Sequence, residues 1–222
     1  MLPLYEQFRP REWGQVIGQD KVLRGLGVLR RRGLAGRAYF FAGKSGQGKT
    51  TIARLLAQEV CGPDCFERGN AVEVDAKGLT PAALQELERG LHFYGSGQGH
   101  GRAVIINEVH GLSSSCVTAL LTILERPEQP IPAHALWIFT TTSEGQEALF
   151  EGIDTPPWLS RCQPFALTSQ GLAKAFAERA REIAQSEDLD GKPVAAYLAL
   201  ANDCKSNFRL MLERIEQGEM LL

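Results

Sequence analysis

Gly43-Lys44-Ser45-Gly46-Gln47-Gly48-Lys49-Thr50 is a complete G-x-x-x-x-G-K-T run, and its flanks decide the fold. Ahead of it, Ala38-Tyr39-Phe40-Phe41-Ala42 is a short apolar and aromatic run that reads as a buried strand. Behind it, Thr51-Ile52-Ala53-Arg54-Leu55-Leu56-Ala57-Gln58-Glu59-Val60 reads as a helix. Strand, glycine-rich loop and helix in that order can cradle a polyphosphate. The glycines let successive backbone N–H groups turn toward it, and the helix adds its positive N-terminal end. Lys49 reaches the β- and γ-phosphates, and the Thr50 hydroxyl is placed to ligate Mg²⁺. Lys44 occupies a variable position of the loop. A bound nucleoside triphosphate is the expectation.

Outward from the loop the chain repeats the alternation. Ala71-Val72-Glu73-Val74-Asp75 reads as a second strand, and Thr80-Pro81-Ala82-Ala83-Leu84 opens a helix with a Thr cap and Pro at its first position. Gly95 to Gly101 reads as a flexible or exposed glycine-rich loop. Ala103-Val104-Ile105-Ile106 is apolar throughout, so buried on both faces. A helix is predicted over Ser114 to Arg126, stopped by Pro127, then strands at Ala135 to Thr140 and at Phe165 to Leu167. Before the loop lie a polar lead-in and a helical segment from about Gln19 to Arg32. Short apolar strands alternating with helices predict an α/β fold, a parallel sheet with helices on both faces. From Ser169 onward only helices are predicted, at about 170–186, 193–202 and 207–216. A boundary is therefore expected near residue 168, between an α/β nucleotide domain (1–168) and a small all-α domain (169–222).

Composition narrows the setting. An apolar fraction of 44% and a charged fraction of 23% are those of a soluble globular protein. No targeting signal opens the chain and no apolar run approaches a membrane span, which places the protein in the cytoplasm. A net charge of −2 argues against a wholly basic nucleic-acid surface but leaves room for a local basic stripe around Arg30-Arg31-Arg32 and Arg37. The five cysteines are odd in number and mostly isolated. Cys61 and Cys65 are the only close pair, and no second pair completes a zinc site.

A triphosphate site also needs a carboxylate to hold magnesium and a base for the attacking water. The strand at 103–106 ends in Asn107-Glu108, so Glu108 is available to polarise water while the metal-side position carries an amide. An amide oxygen accepts a hydrogen bond from a metal-bound water but brings no charge. At 4 Å and an effective dielectric of 20, a unit-charge pair is worth about 4 kcal/mol gross. Each surviving 1.4 kcal/mol or so costs about tenfold. Slow hydrolysis is the expectation. The next strand ends in Thr140-Thr141-Thr142-Ser143, where a hydroxyl facing the γ-phosphate and simple β-propensity are equally good readings of the spacing.

Taken together these residues resemble the clamp-loader branch of the AAA+ ATPases, through almost the whole chain. Phe8-Arg9-Pro10 followed by Val16-Ile17-Gly18-Gln19 is similar to the family's opening. The resemblance implies that Arg9, Pro10, Val16 and Ile17 line an adenine pocket. Asn107 to Ser113 is similar to the family's Asp-Glu-Val-His and Leu-Ser run, and Ala119 to Pro127 to its Ala-Leu-Leu-Lys-Thr-Leu-Glu-Glu-Pro helix. Trp137 to Thr142 resembles the sensor-1 strand, implying a sensor hydroxyl at Thr142 with Thr141 as the neighbouring choice. Ser160-Arg161-Cys162-Gln163 matches the family's Ser-Arg-Cys signature, implying that Arg161 is an arginine finger for the neighbouring subunit. Ser206-Asn207-Phe208-Arg209 resembles sensor 2, implying that Arg209 is a cis cation from a helical lid.

What the resemblance implies is an ATP- and Mg²⁺-dependent ATPase of DNA replication. Its phosphate site would be Gly43, Lys44, Ser45, Gly46, Gln47, Gly48, Lys49, Thr50 and Thr51. The metal side would be Thr50 and Asn107, with Glu108, Thr142, Arg161 and Arg209 in catalysis. Its implied partners are other clamp-loader-type subunits in a ring or arc, a sliding clamp, and primer-template DNA held by backbone contacts. Alternatives are a degenerate subunit that binds ATP and lends a finger, or another AAA+ DNA machine such as a helicase loader or branch-migration motor. Three departures stand: Asn107 in place of Asp, a four-cysteine zinc module reduced to Cys61 and Cys65, and an end at Leu222 before the family's collar domain, which puts stable self-oligomerisation in doubt.

Overall fold

A computed structural model of the chain describes residues 2–97, 99–125, 130–142 and 157–221. The predicted helix end at Arg126-Pro127 and Ser143 of the hydroxyl run lie outside them. In chain order the elements are α1 (Leu4–Gln7), α2 (Asp20–Arg30), β1 (Arg37–Ala42), α3 (Lys49–Cys61), β2 (Ala71–Asp75), α4 (Pro81–Leu91), β3 (Arg102–Asn107), α5 (Ser114–Glu125), β4 (Ala135–Thr141), β5 (Cys162–Ala166), α6 (Ala173–Ser186), α7 (Val194–Asp203) and α8 (Phe208–Glu216). Short 3-10 turns at Trp13–Gln15, Val109–Gly111 and Pro157–Arg161 connect them.

The sheet runs β2-β3-β4-β1-β5 and every pairing is parallel, as the alternation of strands and helices predicts. Strand alternation splits its side chains between two cores. Tyr39, Phe41, Ile105 and Ile138 face α2 and α3, meeting Leu26, Ile52 and Leu56. Phe40, Val104, Ile106, Trp137 and Phe139 face α4, α5 and the turn at 157–161, meeting Leu84, Leu120 and Trp158. Because β1, β3 and β4 are covered on both faces, their sequences read as unbroken apolar runs. The Thr80 cap forms as expected, its hydroxyl accepting from the Ala83 N–H at 3.2 Å.

A third core gathers α6, α7 and α8 around Phe176, Ile183, Tyr197, Leu200, Met211 and Ile215. It also takes in Leu4 of α1, with Tyr5, Phe8 and Ile17 packed against it, so the two ends of the chain share one interior. Gln19 then ties this N-terminal stretch to the sheet. Its buried carboxamide donates to the Thr168 carbonyl at 2.9 Å and accepts from the Thr168 N–H at 3.2 Å.

Two expectations are corrected. β5 starts at Cys162, three residues before the predicted strand, since as an edge strand paired only with β1 it tolerates Pro164. The Gly95–Gly101 stretch is exposed at Ser96, Gly97 and His100 as expected, but it is packed down at its two ends. Gly95 and Gly101 are buried, and Asn70 exchanges hydrogen bonds with the Ser96 backbone at 2.9 and 2.7 Å. A Cβ at Gly101 would lie 2.4 Å from the Val60 carbonyl oxygen, so the glycine is there for close approach.

Candidate functional site: a phosphate-loop cleft

Parallel strands carry their exit loops at one end of the sheet, and the loop after β1 opens there. Gly46 and Gly48 sit at φ +74° and +92°, backbone that only glycine adopts without strain, and Gly48 caps α3. Lys49 is the first residue of α3. Its buried ammonium reaches back over the loop, donating to the carbonyls of Gly43 at 2.8 Å and Lys44 at 3.0 Å. Thr50 and Thr51 follow in the first turn, where unpaired backbone N–H groups and the helix dipole favour anions.

The cleft above this loop has walls from three parts of the chain. Tyr5, Phe8, Arg9, Pro10, Gln15, Val16 and Ile17 come from the N-terminal stretch, and residues 45–51 and Glu108 from the sheet. Phe176, Arg179, Phe208, Arg209 and Leu212 come from α6 and α8. The cleft thus brings aromatic and apolar side chains together with polar and cationic ones, the two chemistries of a nucleotide. Phe176 and Phe208 stand with ring centroids 5.0 Å apart, and the Arg209 guanidinium lies over the Tyr5 ring at 5.2 Å. Arg9 is steered by Glu6, which takes its Nε at 3.0 Å, and touches the Thr51 hydroxyl at 3.4 Å. The Arg9 hydrogen bond, together with the charges of Arg9, Arg54 and Arg209, holds the Glu6 carboxyl below its usual range despite partial burial.

Glu108 stands in left-handed backbone, at φ 53° and ψ 49°. Such strain persists only where surrounding structure holds it and clusters at working sites. The turn it starts places His110 beside it, the Glu108 Oε2 to His110 Nδ1 distance being 3.4 Å. His110 Nδ1 also meets the Thr141 hydroxyl at 3.0 Å. Glu108 Oε2 is shielded from solvent and makes no hydrogen bond, and neither does the buried Gln47 Oε1 of the phosphate loop. A carboxylate oxygen so placed fits an orienting role toward a water. With the cationic Lys49, the left-handed glycine loop and the Thr50 hydroxyl, the donor set fits a Mg²⁺-bound triphosphate.

The remaining expected residues lie elsewhere. Gly43 is packed beneath the loop, where a Cβ would come within 2.5 Å of Gln47 Oε1, and Lys44 is exposed at its tip. Asn107 does not line this cleft. Its amide nitrogen donates to Glu73 at 2.7 Å and its oxygen accepts from the Thr140 hydroxyl at 2.8 Å. Thr142 lies just past the end of β4, half-buried, whereas Thr140 and Thr141 are fully buried in the strand. Arg161 is exposed and ion-paired with Glu125, immediately before β5. Because β5 runs parallel to β1 with Cys162 beside Ala38, Arg161 sits at the entry end of the sheet, about 20 Å along the strand from the phosphate loop.

Sequence reasoning missed Tyr5, Gln15, Phe176, Arg179 and Leu212 on the cleft walls, and Glu73 beside Asn107. A helix face repeating Phe176 with Arg179 three positions on was a readable signal; the others carry none. Cys61 and Cys65 are buried thiols, raised by burial to about 12 and about 11, hence protonated. Among the described residues no group of three or more His, Cys, Asp or Glu is placed to hold a metal, and no helix is long and apolar enough to cross a membrane.

Comparison with known proteins agrees with this geometry. The profile of the ATPase family associated with various cellular activities (AAA) matches residues 39–165, more than half of the chain. The chain is similar to the DNA polymerase III subunit gamma/tau of Mycobacterium tuberculosis, 31% identical over 160 residues covering 64% of this chain and 27% of that protein. It is 29% identical to the subunit tau of Escherichia coli, covering 97% of this chain and 34% of that protein. With the subunit gamma of Buchnera aphidicola identity is 32%, over 78% of this chain and 49% of that protein. The chain therefore spans between about a quarter and a half of these relatives' length. Its fold is like that of the Thermotoga maritima RuvB Holliday junction branch migration motor, with a TM-score of 0.67 and 20% identity over 94% of this chain and 64% of that one.

Proposed function

The chain belongs to the AAA family of ATPases, and from that membership we propose that it binds ATP with Mg²⁺ in the cleft between loop and helices and works as a clamp-loader-type subunit. The observation that carries this reading is the cleft itself: one space bounded by residues 45–51, by Arg9, Pro10, Val16 and Ile17, by Glu108 and by Arg209. In this reading the apolar side chains take the base, Lys49 and the loop N–H groups take the phosphates, and Thr50 ligates the metal. Glu108 orients the attacking water. Residues 169–222 act as a lid that brings Arg209 to the γ-phosphate. Thr142, or Thr141 beside it, reads the nucleotide state from the end of β4.

Arg161 has a different place in the proposal. Standing about 20 Å along the strand from its own loop, it is out of reach of its own nucleotide, so its guanidinium serves a neighbouring subunit. The partners are other subunits of this type, a sliding clamp, and primer-template DNA contacted through its backbone. A second reading, a subunit that binds ATP but hydrolyses it slowly, is favoured by Asn107, a neutral side chain with both amide groups already engaged.

The experiment is ATP binding and hydrolysis by the chain, alone and with partner subunits, clamp and primed DNA. Lys49→Ala removes the buried ammonium from the loop and is expected to weaken ATP binding at least tenfold, a loss of about 1.4 kcal/mol. Unchanged affinity in that variant overturns the assignment of the cleft. Hydrolysis stimulated by clamp and primed DNA supports the clamp-loading reading, and unstimulated hydrolysis rejects it.

A further inference from the structure

The carboxylate that a phosphate-loop site needs beside its magnesium is absent at position 107, yet one stands within hydrogen-bond distance of the amide that replaces it. β2, β3 and β4 are adjacent and parallel, and on the face that carries α3 they present Glu73, Asn107 and Thr140. Asn107 follows the Ile106–Phe139 pair, so it lies beside Thr140, and Glu73 is the diagonal neighbour, two residues before Asp75 in register with Asn107. Glu73 Oε1 accepts from Asn107 Nδ2 at 2.7 Å and its Oε2 accepts from Arg54 Nε at 2.6 Å. Asn107 Oδ1 accepts from the Thr140 hydroxyl at 2.8 Å.

An amide can point either way, and a threonine hydroxyl suits both, since it donates and accepts. A carboxylate does not. Only the NH₂ group can face Glu73, so the amide oxygen is turned toward Thr140. A carboxylate at position 107 would meet Glu73 oxygen to oxygen. Arg54, which clamps the other side of Glu73, sits one turn beyond Thr50 on the helix that starts at the phosphate loop. The same arginine comes within 3.8 Å of Glu6, which holds Arg9 on the cleft wall.

We propose that Glu73 is a positioning residue of the nucleotide site. Anchored by Arg54, it fixes the Asn107 amide with its oxygen presented on the α3 face, where it can accept from a metal-bound water. Asn107 and Glu73 are a matched pair in which the negative charge stands one strand away from its usual place. The inference rests on reading the cleft as a Mg·ATP site.

The pairing predicts an exchange. In Glu73→Gln the new amide gives its oxygen to Arg54 and its NH₂ group to position 107, which forces the Asn107 amide to flip and turns a donor toward the metal side. In Asn107→Asp two carboxylates face each other. In the double variant, Glu73→Gln with Asn107→Asp, every donor again meets an acceptor and the charge moves to position 107.

The test uses these three variants and the parent chain, with two readouts: the melting temperature without nucleotide, and the affinity for a fluorescent ATP analogue in Mg²⁺ and in EDTA. Asn107→Asp is expected to melt lower than the parent, and the double variant to recover most of that loss. Glu73→Gln is expected to cut the affinity gained from Mg²⁺ about tenfold, the usual cost of losing a group that orients a metal ligand, while affinity in EDTA holds. The double variant restores that gain. Additive melting effects overturn the pairing, and so does a Glu73→Gln chain whose Mg²⁺ gain is intact. If the parent binds no nucleotide, the ATP reading fails on its own, and the melting cycle still decides whether Glu73 and Asn107 are coupled.

Discussion

Gly46 is where the phosphate loop touches the helical unit, and replacing it by alanine isolates that contact. A Cβ there would lie 1.9 Å from Asn207 Oδ1, 2.5 Å from its Cγ and 3.2 Å from its Cα. Asn207 is the N-cap of α8, its Oδ1 accepting from the Leu210 N–H at 3.2 Å. Gly46→Ala therefore carries two costs. The left-handed backbone at φ +74° costs an alanine about 1–2 kcal/mol. Displacing Asn207 also forfeits the cap, about 1 kcal/mol. Gly48→Ala is the control: its φ is +92°, but nothing lies within 4 Å of the added carbon, so only the backbone cost applies. At roughly 2–4 °C per kcal/mol for a chain of this size, Gly46→Ala should melt about 2–4 °C below Gly48→Ala. The sharper measurement is a double-mutant cycle with Asn207→Ala, followed by thermal melting. Alone, Asn207→Ala should cost about 1 kcal/mol. On the Gly46→Ala background it should cost almost nothing, since the cap is already lost. If the two substitutions simply add, the loop and the lid do not touch as described.

Glu108→Gln should leave ATP affinity within about twofold, well under 1 kcal/mol, while abolishing hydrolysis; residual turnover at the parent rate removes Glu108 as the orienting base. Arg161→Ala should leave ATP binding by the isolated chain unchanged and abolish DNA-stimulated hydrolysis in the assembly. Mixing it with Lys49→Ala chains should then recover a fraction of the activity, and failure of every mixture to do so sinks the trans role. Asp190 offers a pH test. Partial burial pushes its carboxyl up, but hydrogen bonds from Tyr197, Gln185 and Arg181 outweigh this and hold it below its ordinary 3.8. A depressed carboxyl stabilises the fold above its unfolded pKa and loses that contribution as pH falls through the folded value. Asp190→Asn should therefore melt lower than the parent at pH 7, with the gap closing below about pH 4; a gap that is constant with pH refutes the assignment.

What could be read from sequence follows from how local each cause is. β1, β3 and β4 announce themselves because burial on both faces leaves an apolar run, and α4 because Thr80 and Pro81 are adjacent to it in the chain. The phosphate loop is legible for the same reason, since glycines, lysine and threonine act within eight residues. By contrast, α1 is four residues long, too short for a periodic pattern, and its Leu4 is buried by side chains from the far end of the chain. Glu73 reads as an ordinary polar position in a half-exposed strand. Its partners Arg54 and Asn107 are 19 and 34 positions away, and neither spacing signals contact. Tyr5 and Phe176 join the cleft only once the third core has brought the two ends of the chain together.

That third core gives the cleft its mechanical sense. The cleft residues Tyr5 and Phe8 pack against the same interior as α6 and α8, which carry Arg179 and Arg209. The phosphate loop and Glu108 belong to the sheet. Polar contacts between the two bodies near the site include Arg9 on the Thr51 hydroxyl, Glu6 with Arg54, the Gln19 clamp on Thr168 and the approach of Asn207 to Gly46. On the proposed reading, a nucleotide gripped by both bodies spends part of its binding energy fixing the angle between them. Loss of the γ-phosphate releases the Arg209 side first, because that cation comes from the lid. The entry end of the sheet does not share in this closure. It presents Arg161 outward, at the opposite end of the strands from the loop, so on the proposed reading each chain carries the two halves of a hydrolytic site facing away from each other. Two such halves complete one another only between successive subunits of an arc. On that reading, the closing angle set by ATP in one subunit is what aligns the next subunit's arginine.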